Sequence, residues 1–144
     1  MSRFNFFSQS EIDLLADAKK NKKYIHIKPK SAEVRQVMDL LKLNEMMSRH
    51  DSWNASNFNL VLDRQRIDFH KISTQGVNLG FNKISPDPEK VQSYIKKGAS
   101  LVLNDIIYLS KDVKKFASDL QNITLGKCQA NLYFSMQSHQ AFGP

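Results

Sequence analysis

The 144-residue sequence predicts an α+β protein in which helices flank a mostly antiparallel sheet. Two segments repeat apolar residues at i, i+3, i+4 and i+7, which is typical of helices that pack through one face. A central segment alternates on both sides of a tight polar turn, which predicts a β-hairpin. A last segment alternates over nine residues, which predicts a further strand.

The first elements are predicted from caps and breakers. Ser8-x-x-Glu11 matches a capping box that opens a short helix. Tyr24 to Ile27 reads as a short strand ended by Pro29, and Ser31 can cap a second helix. The apolar positions of the two helices are Ile12, Leu14, Leu15 and Ala18, and then Val34, Val37, Met38 and Leu41.

The middle of the chain predicts a loop, a hairpin and a helix. The polar stretch "SRHDSWNASN" reads as a loop, and "NLVLDRQRIDFHKI" as a hairpin that turns at Asp63-Arg64. "STQGVNLGFNKISPDP" has the composition of turns. Asp87-Pro88 then caps a helix over Val91, Tyr94 and Ile95, which Gly98 closes.

Towards the C-terminus we expect a strand in "ASLVLND", a helix capped by Ser110, and a strand from Lys127 to Ser135. Side chains alternate across a strand, so the last strand has an apolar row and a polar row. The polar row is either a solvent-facing surface or the inner wall of a pocket, and spacing alone does not decide. The helix face consists of Val113, Phe116, Ala117 and Leu120; the apolar row of Cys128, Ala130, Leu132 and Phe134; the polar row of Gln129, Asn131, Tyr133 and Ser135.

Composition predicts one cytoplasmic domain that does not enter a membrane. Hydrophobic residues make up 41% and charged residues 24% of the chain, and no apolar run approaches the roughly 20 residues of a membrane helix. The N-terminus has no secretory signal pattern. Cys128 is the only cysteine, which excludes an internal disulfide and a cysteine-based zinc site. Phosphate-binding glycine loops and a G-x-S-x-G elbow are absent from the sequence.

The net charge of +7 suits an acidic partner such as RNA or a ribosomal surface. The densest basic cluster, Lys19 to Lys23, lies at a predicted helix end, where cations are favourable. A scattered excess is therefore the preferred interpretation, and the alternative is a non-catalytic basic module that binds RNA or a ribosome.

The order of motifs from Ile95 to Pro144 resembles the first half of the cupin-fold JmjC oxygenases of the ribosomal-oxygenase type. The matching segments are "GASLVLN", the helix that follows it, "ANLY", and a turn that ends in Gly-Pro. "YIHIKPK" and "LVLDRQRID" occupy about the places of that family's N-terminal strand and hairpin. The resemblance implies a helical and hairpin part over residues 1–97 and the start of a double-stranded β-helix barrel over residues 98–144.

The resemblance further implies a hydroxylase that depends on iron(II) and 2-oxoglutarate, with iron held by two histidines and one carboxylate. In that family the first ligands, His-x-Asp, directly follow the Gly-Pro turn. We therefore expect that no catalytic or metal-binding residue lies in these 144 residues and that the chain alone is inactive. The expected partners are a missing C-terminal half or a second copy of the chain, and a ribosomal protein or a small molecule as substrate.

Carried over onto this sequence, Asn131 and Tyr133 match strand residues that face the family's pocket, and Ser135 lies on the same side. We expect these three residues to contact 2-oxoglutarate or the substrate. The histidines, including the Asp68-x-His70 pair, are expected to be ordinary polar residues, and Cys128 a buried, inert thiol. A pseudoenzyme remnant that serves as a scaffold is a further alternative.

Overall fold

A computed structural model describes residues 6–28, 34, 36–78 and 81–136. Within them the protein is a mixed α/β structure with four α-helices, and every strand pairing is antiparallel, as the sequence predicts. The helices are α1 Gln9–Lys20, α2 Leu40–Met47, α3 Pro88–Lys96 and α4 Lys111–Thr124. The strands are β1 Phe58–Leu62, β2 Gln65–Arg66, β3 Ser73–Asn78, β4 Phe81–Pro86, β5 Ser100–Leu103 and β6 Leu132–Phe134. In this part of the chain no helix has the length and apolar character needed to cross a membrane.

Backbone contacts divide the chain into two compact units. Residues 1–46 and 107–130 form the helical unit, which contains α1 and α4. Residues 47–106 and 131–144 form the sheet unit, which contains α3 and all six strands. Both units combine segments that are distant in sequence, whereas the predicted division fell at a single position, between residues 97 and 98. The predicted boundary between residues 97 and 98 stays a prediction, and so does the prediction of a single domain.

In the helical unit, the predicted capping box of α1 is present. The backbone N–H and the hydroxyl of Ser8 both donate to the Glu11 carboxylate, at 2.8 Å and 2.7 Å. The N–H of Glu11 in turn donates to Ser8 Oγ at 3.4 Å. The buried Glu11 carboxylate thus receives donors that replace water and hold the first turn of the helix.

Helix α4 packs through the face that its periodicity predicts. Ser110 caps it by accepting from the N–H of Val113, and Val113 and Ala117 are buried. The ring of Phe116 lies 5.5 Å from the ring of Phe6 and 5.4 Å from that of Phe7, which joins the α4 face to the segment preceding α1. Aromatic contacts of this kind add to the burial of apolar area.

The sheet unit is built around a four-stranded sheet with the order β2-β1-β5-β6. Residues directly opposite in an antiparallel pair point to the same side, so the register sorts the side chains into two faces. One face is apolar, and Trp53 packs on it through an edge-on contact with Phe58 at 5.7 Å. This face consists of Phe58, Leu60, Leu101, Leu103, Leu132 and Phe134.

The predicted turn at Asp63-Arg64 joins β1 to β2. Both residues have positive φ, 50° and 65°, which is the backbone of a two-residue type I′ hairpin turn. The register pairs Leu62 with Gln65 across it. The second strand is only two residues long, and a 3-10 helix, Phe69–Ile72, begins three residues after it ends.

Three predictions of strands need correction. Tyr24 to Ile27 alternates in exposure but forms no strand, because no described strand pairs with it. The stretch 73–88, predicted as turns, contains strands β3 and β4, which pair with Ser73 opposite Pro86. The last strand covers Leu132–Phe134 and not Lys127 to Ser135, since β5 offers only four residues for pairing.

Of the predicted second helix, Val34 is helical, and residues 29–33 and 35 lie outside the described residues. A turn and bends follow at residues 36–38, and helix α2 begins at Leu40. The predicted cap, Ser31, is among the residues that the structure does not describe. Asp39 precedes the helix and accepts a hydrogen bond from the N–H of Lys42 at 2.8 Å. The start of α2 is therefore set by Asp39, a residue that the apolar pattern did not indicate.

We expect Asp87→Ala to lower the free energy of unfolding by about 1 kcal/mol, measured by urea denaturation. The Asp87 side chain accepts from the N–H groups of Glu89 and Lys90 at the start of α3, at 3.0 Å and 3.2 Å. Glu89→Ala is the matched control, because it removes an acidic side chain from the same turn without removing the cap. The control should cost only about 0.3 kcal/mol. Equal losses in the two variants would contradict this account of the cap.

Candidate functional site

The candidate site is the second face of the four-stranded sheet. Asn59 of β1 lies opposite Val102 of β5, and Val102 lies opposite Tyr133 of β6. Val61 lies opposite Ser100 in the same sheet. Arg66 of β2 lies opposite Val61 on its other side. We call this surface the Asn59–Tyr133 face, and it consists of Asn59, Val61, Arg66, Ser100, Val102 and Tyr133.

The three predicted site residues lie at the edge of this face. Asn131, Tyr133 and Ser135 are exposed, whereas the residues that alternate with them are half-buried. The alternation predicted for this segment is therefore confirmed. Among the described strands, β6 pairs only with β5, so its far side forms an edge of the sheet. Tyr133, with 61% of its surface exposed, is the central side chain of that edge.

Asn131 has a structural contact in addition to its predicted role. Its side-chain oxygen accepts a hydrogen bond from the N–H of Asp105 at 3.1 Å. Asp105 has a φ of 55°, a left-handed conformation that non-glycine residues adopt at some cost. Asn131 therefore helps to hold the chain as it leaves β5, and its amide nitrogen carries two donors that this contact does not use.

Exposure along the face decreases from the edge strand inwards. Tyr133 on β6 is largely exposed, whereas Val102 and Ser100 on β5 are 7% and 4% exposed. Asn59 and Val61 on β1 are both 8% exposed. The face thus begins at a solvent-accessible phenol and leads into a buried region that contains an amide and a hydroxyl.

Asn59 is the residue that sequence reasoning missed. Its side-chain oxygen is buried and has no hydrogen-bond partner among the described residues. Buried polar atoms in proteins are nearly always paired, so an unpaired one needs an explanation. Asparagine is disfavoured in the middle of a strand, and this was the available indication in the sequence. Its position beside Val102 and Tyr133 depends on the register.

No three His, Cys, Asp or Glu side chains within the described ranges lie close enough together to hold a metal ion. Asp68 accepts a hydrogen bond from the N–H of His70 at 2.9 Å and caps the 3-10 helix Phe69–Ile72. Asp68 therefore acts as a helix cap, although the sequence predicted it within the hairpin that turns at Asp63-Arg64. His139 lies outside the described residues.

Cys128 is half-buried, and not fully buried as predicted. It precedes β6 in a segment without strand pairing, so its side chain is not enclosed by a neighbouring strand. Half-burial alone identifies no chemical role for the thiol.

Basic residues occur in both units and are interspersed with acidic ones. The helical unit contains Lys19 and Lys115, and the sheet unit contains Arg66 and Lys97. Several lysines of the described segments pair with carboxylates within a unit, which reduces their local excess of charge. These pairs are Lys42 with Asp112 at 2.5 Å, Lys83 with Asp51 at 2.8 Å, and Lys90 with Asp87 at 3.7 Å.

Comparison with protein-family models, with curated proteins and with solved structures found no match to this chain. The function must therefore be argued from the face itself.

We expect Asn59→Leu to raise the free energy of unfolding by about 1 kcal/mol, measured by urea denaturation. Leucine has the same branching as asparagine, and it removes an oxygen that is buried without a partner.

Asn57→Leu is the matched control, two residues earlier in the chain. The Asn57 amide donates to the Ser52 carbonyl at 2.8 Å and accepts from the N–H of Asn54 at 2.9 Å. This variant should therefore be destabilised by about 1–3 kcal/mol. A loss of stability in Asn59→Leu as large as in the control would show that the Asn59 oxygen is paired in solution.

Proposed function

We propose that this chain forms part of an iron(II)- and 2-oxoglutarate-dependent hydroxylase of the JmjC cupin type. The observation that supports it best is the row of exposed polar side chains formed by Tyr133 on β6 and by Asn131 and Ser135 beside it, at an edge of an antiparallel sheet. In such an enzyme this strand would be the inner wall of the barrel. The motif order from Ile95 to Pro144 supports the same assignment.

The described residues do not fit the iron site of such an enzyme, since no suitable group of ligands converges among them. The iron ligands of the proposed enzyme are therefore assigned to residues other than the described ones. When bound, iron and 2-oxoglutarate supply the oxidant that inserts oxygen into a C–H bond. The contribution of this chain is the wall that binds and orients the cosubstrate and the substrate.

The proposed contacts follow from the donors on β6 and directly beside it. The Tyr133 hydroxyl and the Asn131 amide nitrogen can each donate to a carboxylate oxygen of 2-oxoglutarate. Ser135 can donate a third hydrogen bond from the same side. Hydrogen bonds to a charged group are stronger than those between neutral groups, so these donors suit a dicarboxylate.

The partner follows from the edge of the sheet. A strand with an open side is a template for another strand, and the apolar residues Leu132 and Phe134 on β6 are only half-buried. We propose that the remaining part of the barrel, or a second copy of this chain, covers this edge. The proposed substrate of the whole enzyme is a protein side chain or a small molecule.

The proposal is tested by the residues that the gene encodes after Pro144. We expect a histidine two positions before an acidic residue at that place, and a second histidine further on. The longer protein, given iron(II), 2-oxoglutarate and ascorbate, should form succinate, whereas the 144-residue chain should form none. A stop codon, a continuation without this pair, or robust succinate formation by the chain alone would each end the proposal.

In the longer protein we expect Tyr133→Phe to raise the KM for 2-oxoglutarate about 10-fold, because it removes one donor to a carboxylate. Tyr108→Phe is the matched control, since Tyr108 is exposed and lies in the helical unit. Its KM should not change. Steady-state succinate formation measures both values, and equal KM values in the two variants would remove Tyr133 from the cosubstrate site.

A further inference from the structure

Residues 19–28, at the end of α1 and directly after it, are an exception to the interspersed charges of the chain. This stretch, which we call the Lys19–Lys28 segment, contains five lysines and no acidic residue. All five lysines are exposed, and none forms a salt bridge with a carboxylate of the described residues. Asp17, just before the segment, accepts a hydrogen bond from the Asn21 amide at 2.8 Å. The positive charge of the segment is therefore available to an anionic partner.

Stabilisation of the helix explains only part of this charge. Cations are favourable in the last turn of a helix, where Lys19 and Lys20 lie. Lys22 and Lys23 follow the helix in a Schellman motif, in which the N–H of Lys23 donates to the Ala18 carbonyl at 2.9 Å. Lys22 has a φ of 51°, and glycine is the residue that this position favours. A lysine there adds charge at some cost in stability, so the charge needs another explanation.

The same segment presents aromatic rings to solvent. Tyr24 is 92% exposed, more than any other large hydrophobic side chain in the described ranges. Ile25 and Ile27 are half-buried and hold the segment against the protein, whereas Tyr24, His26 and Lys28 are exposed. The phenol and imidazole rings can therefore stack on a ligand that the lysines attract.

We propose that the Lys19–Lys28 segment binds single-stranded RNA. Lysines bind phosphate groups irrespective of base sequence, and exposed aromatic rings stack on bases that are free of a partner strand. Within the described part of the chain, neither a strand nor another backbone group pairs with residues 24–28. Their carbonyl oxygens can therefore accept from the ribose 2′-hydroxyl groups, which distinguish RNA from DNA.

The inference is independent of the proposed hydroxylase. The contacts proposed for 2-oxoglutarate belong to the sheet unit, whereas the Lys19–Lys28 segment belongs to the helical unit. RNA binding requires neither iron nor 2-oxoglutarate. A failure to bind RNA would therefore leave the hydroxylase proposal as it stands, and the absence of succinate would not affect RNA binding.

An anionic membrane is the other partner that attracts exposed lysines. Stable binding at a membrane interface also requires apolar side chains that enter the lipid. Ile25 and Ile27, the aliphatic residues after the helix end, are partly covered by the protein itself. RNA uses the exposed rings and the lysines together, so the observations favour RNA.

The test measures the binding of a fluorescein-labelled oligouridine of about 12 nucleotides to the 144-residue chain by fluorescence anisotropy. An oligodeoxyuridine of the same length is the control, since it lacks only the 2′-hydroxyl groups. We expect a slope of about −3 when the logarithm of the RNA affinity is plotted against the logarithm of the salt concentration, as four to five phosphate contacts require. The deoxy oligomer should bind about 5-fold more weakly.

Phosphatidylserine vesicles should not displace the RNA. Equal affinities for the two oligomers, no binding of the RNA, or binding to the vesicles in place of the RNA would each overturn the proposal.

Two matched double variants locate the site. Lys19→Gln with Lys20→Gln removes two cations from the end of α1, and Lys96→Gln with Lys97→Gln removes two exposed cations from the end of α3. The first should weaken RNA binding about 10-fold at roughly 0.1 M salt and reduce the slope to about −2, whereas the second should have little effect. Equal losses would show that net charge alone attracts the RNA, and the assignment of the segment would be wrong.

The role of the tyrosine is tested in the same assay. Tyr24→Ala should weaken binding about 10-fold through the loss of one stacked base, and Tyr24→Phe should retain the affinity. Tyr108→Ala is the control, because Tyr108 is an exposed tyrosine of the same unit, and its affinity should not change. The same loss in Tyr24→Ala and Tyr108→Ala would overturn the stacking contact.

Lys22→Gly separates binding from stability. It should weaken RNA binding several-fold, because it removes one phosphate contact. It should also raise the melting temperature by roughly 2 °C, because glycine adopts positive φ without strain. A purely structural lysine would not show these opposite effects, so an unchanged RNA affinity in this variant would contradict its role.

Discussion

The pairing of β1 with β5 is the constraint on which the sheet unit depends. It aligns Leu60 with Leu101 and Asn59 with Val102, and so sorts two continuous segments into an apolar face and a face that contains polar groups. A shift by one residue would exchange the two faces of a strand. Leu60 and Leu103 are fully buried, so such a shift would expose a large part of the core.

The same pairing creates the conflict at Asn59. The apolar face requires the present register, and that register buries the Asn59 amide on the opposite side. Apolar burial over the whole strand outweighs one unpaired oxygen, so the fold tolerates it. Conflicts of this kind between local chemistry and the fold are concentrated at functional sites in proteins. The unpaired oxygen of the buried Asn59 is therefore the feature that distinguishes this face from an ordinary sheet surface.

The elements that sequence reasoning predicted correctly are those whose signals are local. Ser8 with Glu11, Asp87 and Ser110 act within four residues, and each caps the predicted helix. The turn at Asp63-Arg64 likewise depends on two residues. The strand expected at Tyr24 is wrong, and the β3–β4 pairing was missed because its stretch was predicted as turns. A strand exists only where another segment supplies its hydrogen bonds. The sequence predicted that Asn131, Tyr133 and Ser135 form one row. It did not predict that the face with this row continues across the sheet.

The amino-acid sequence by itself determined the helix caps, the hairpin turn and the alternation of exposed and half-buried residues that brings Tyr133 to the surface. These follow from backbone and side-chain chemistry within a few residues. Only the tertiary structure decided that Asn59, 74 positions away from Tyr133 in the numbering, shares a face with it. The reason is that cross-strand register is set by hydrogen bonds between distant segments and by burial of the opposite face.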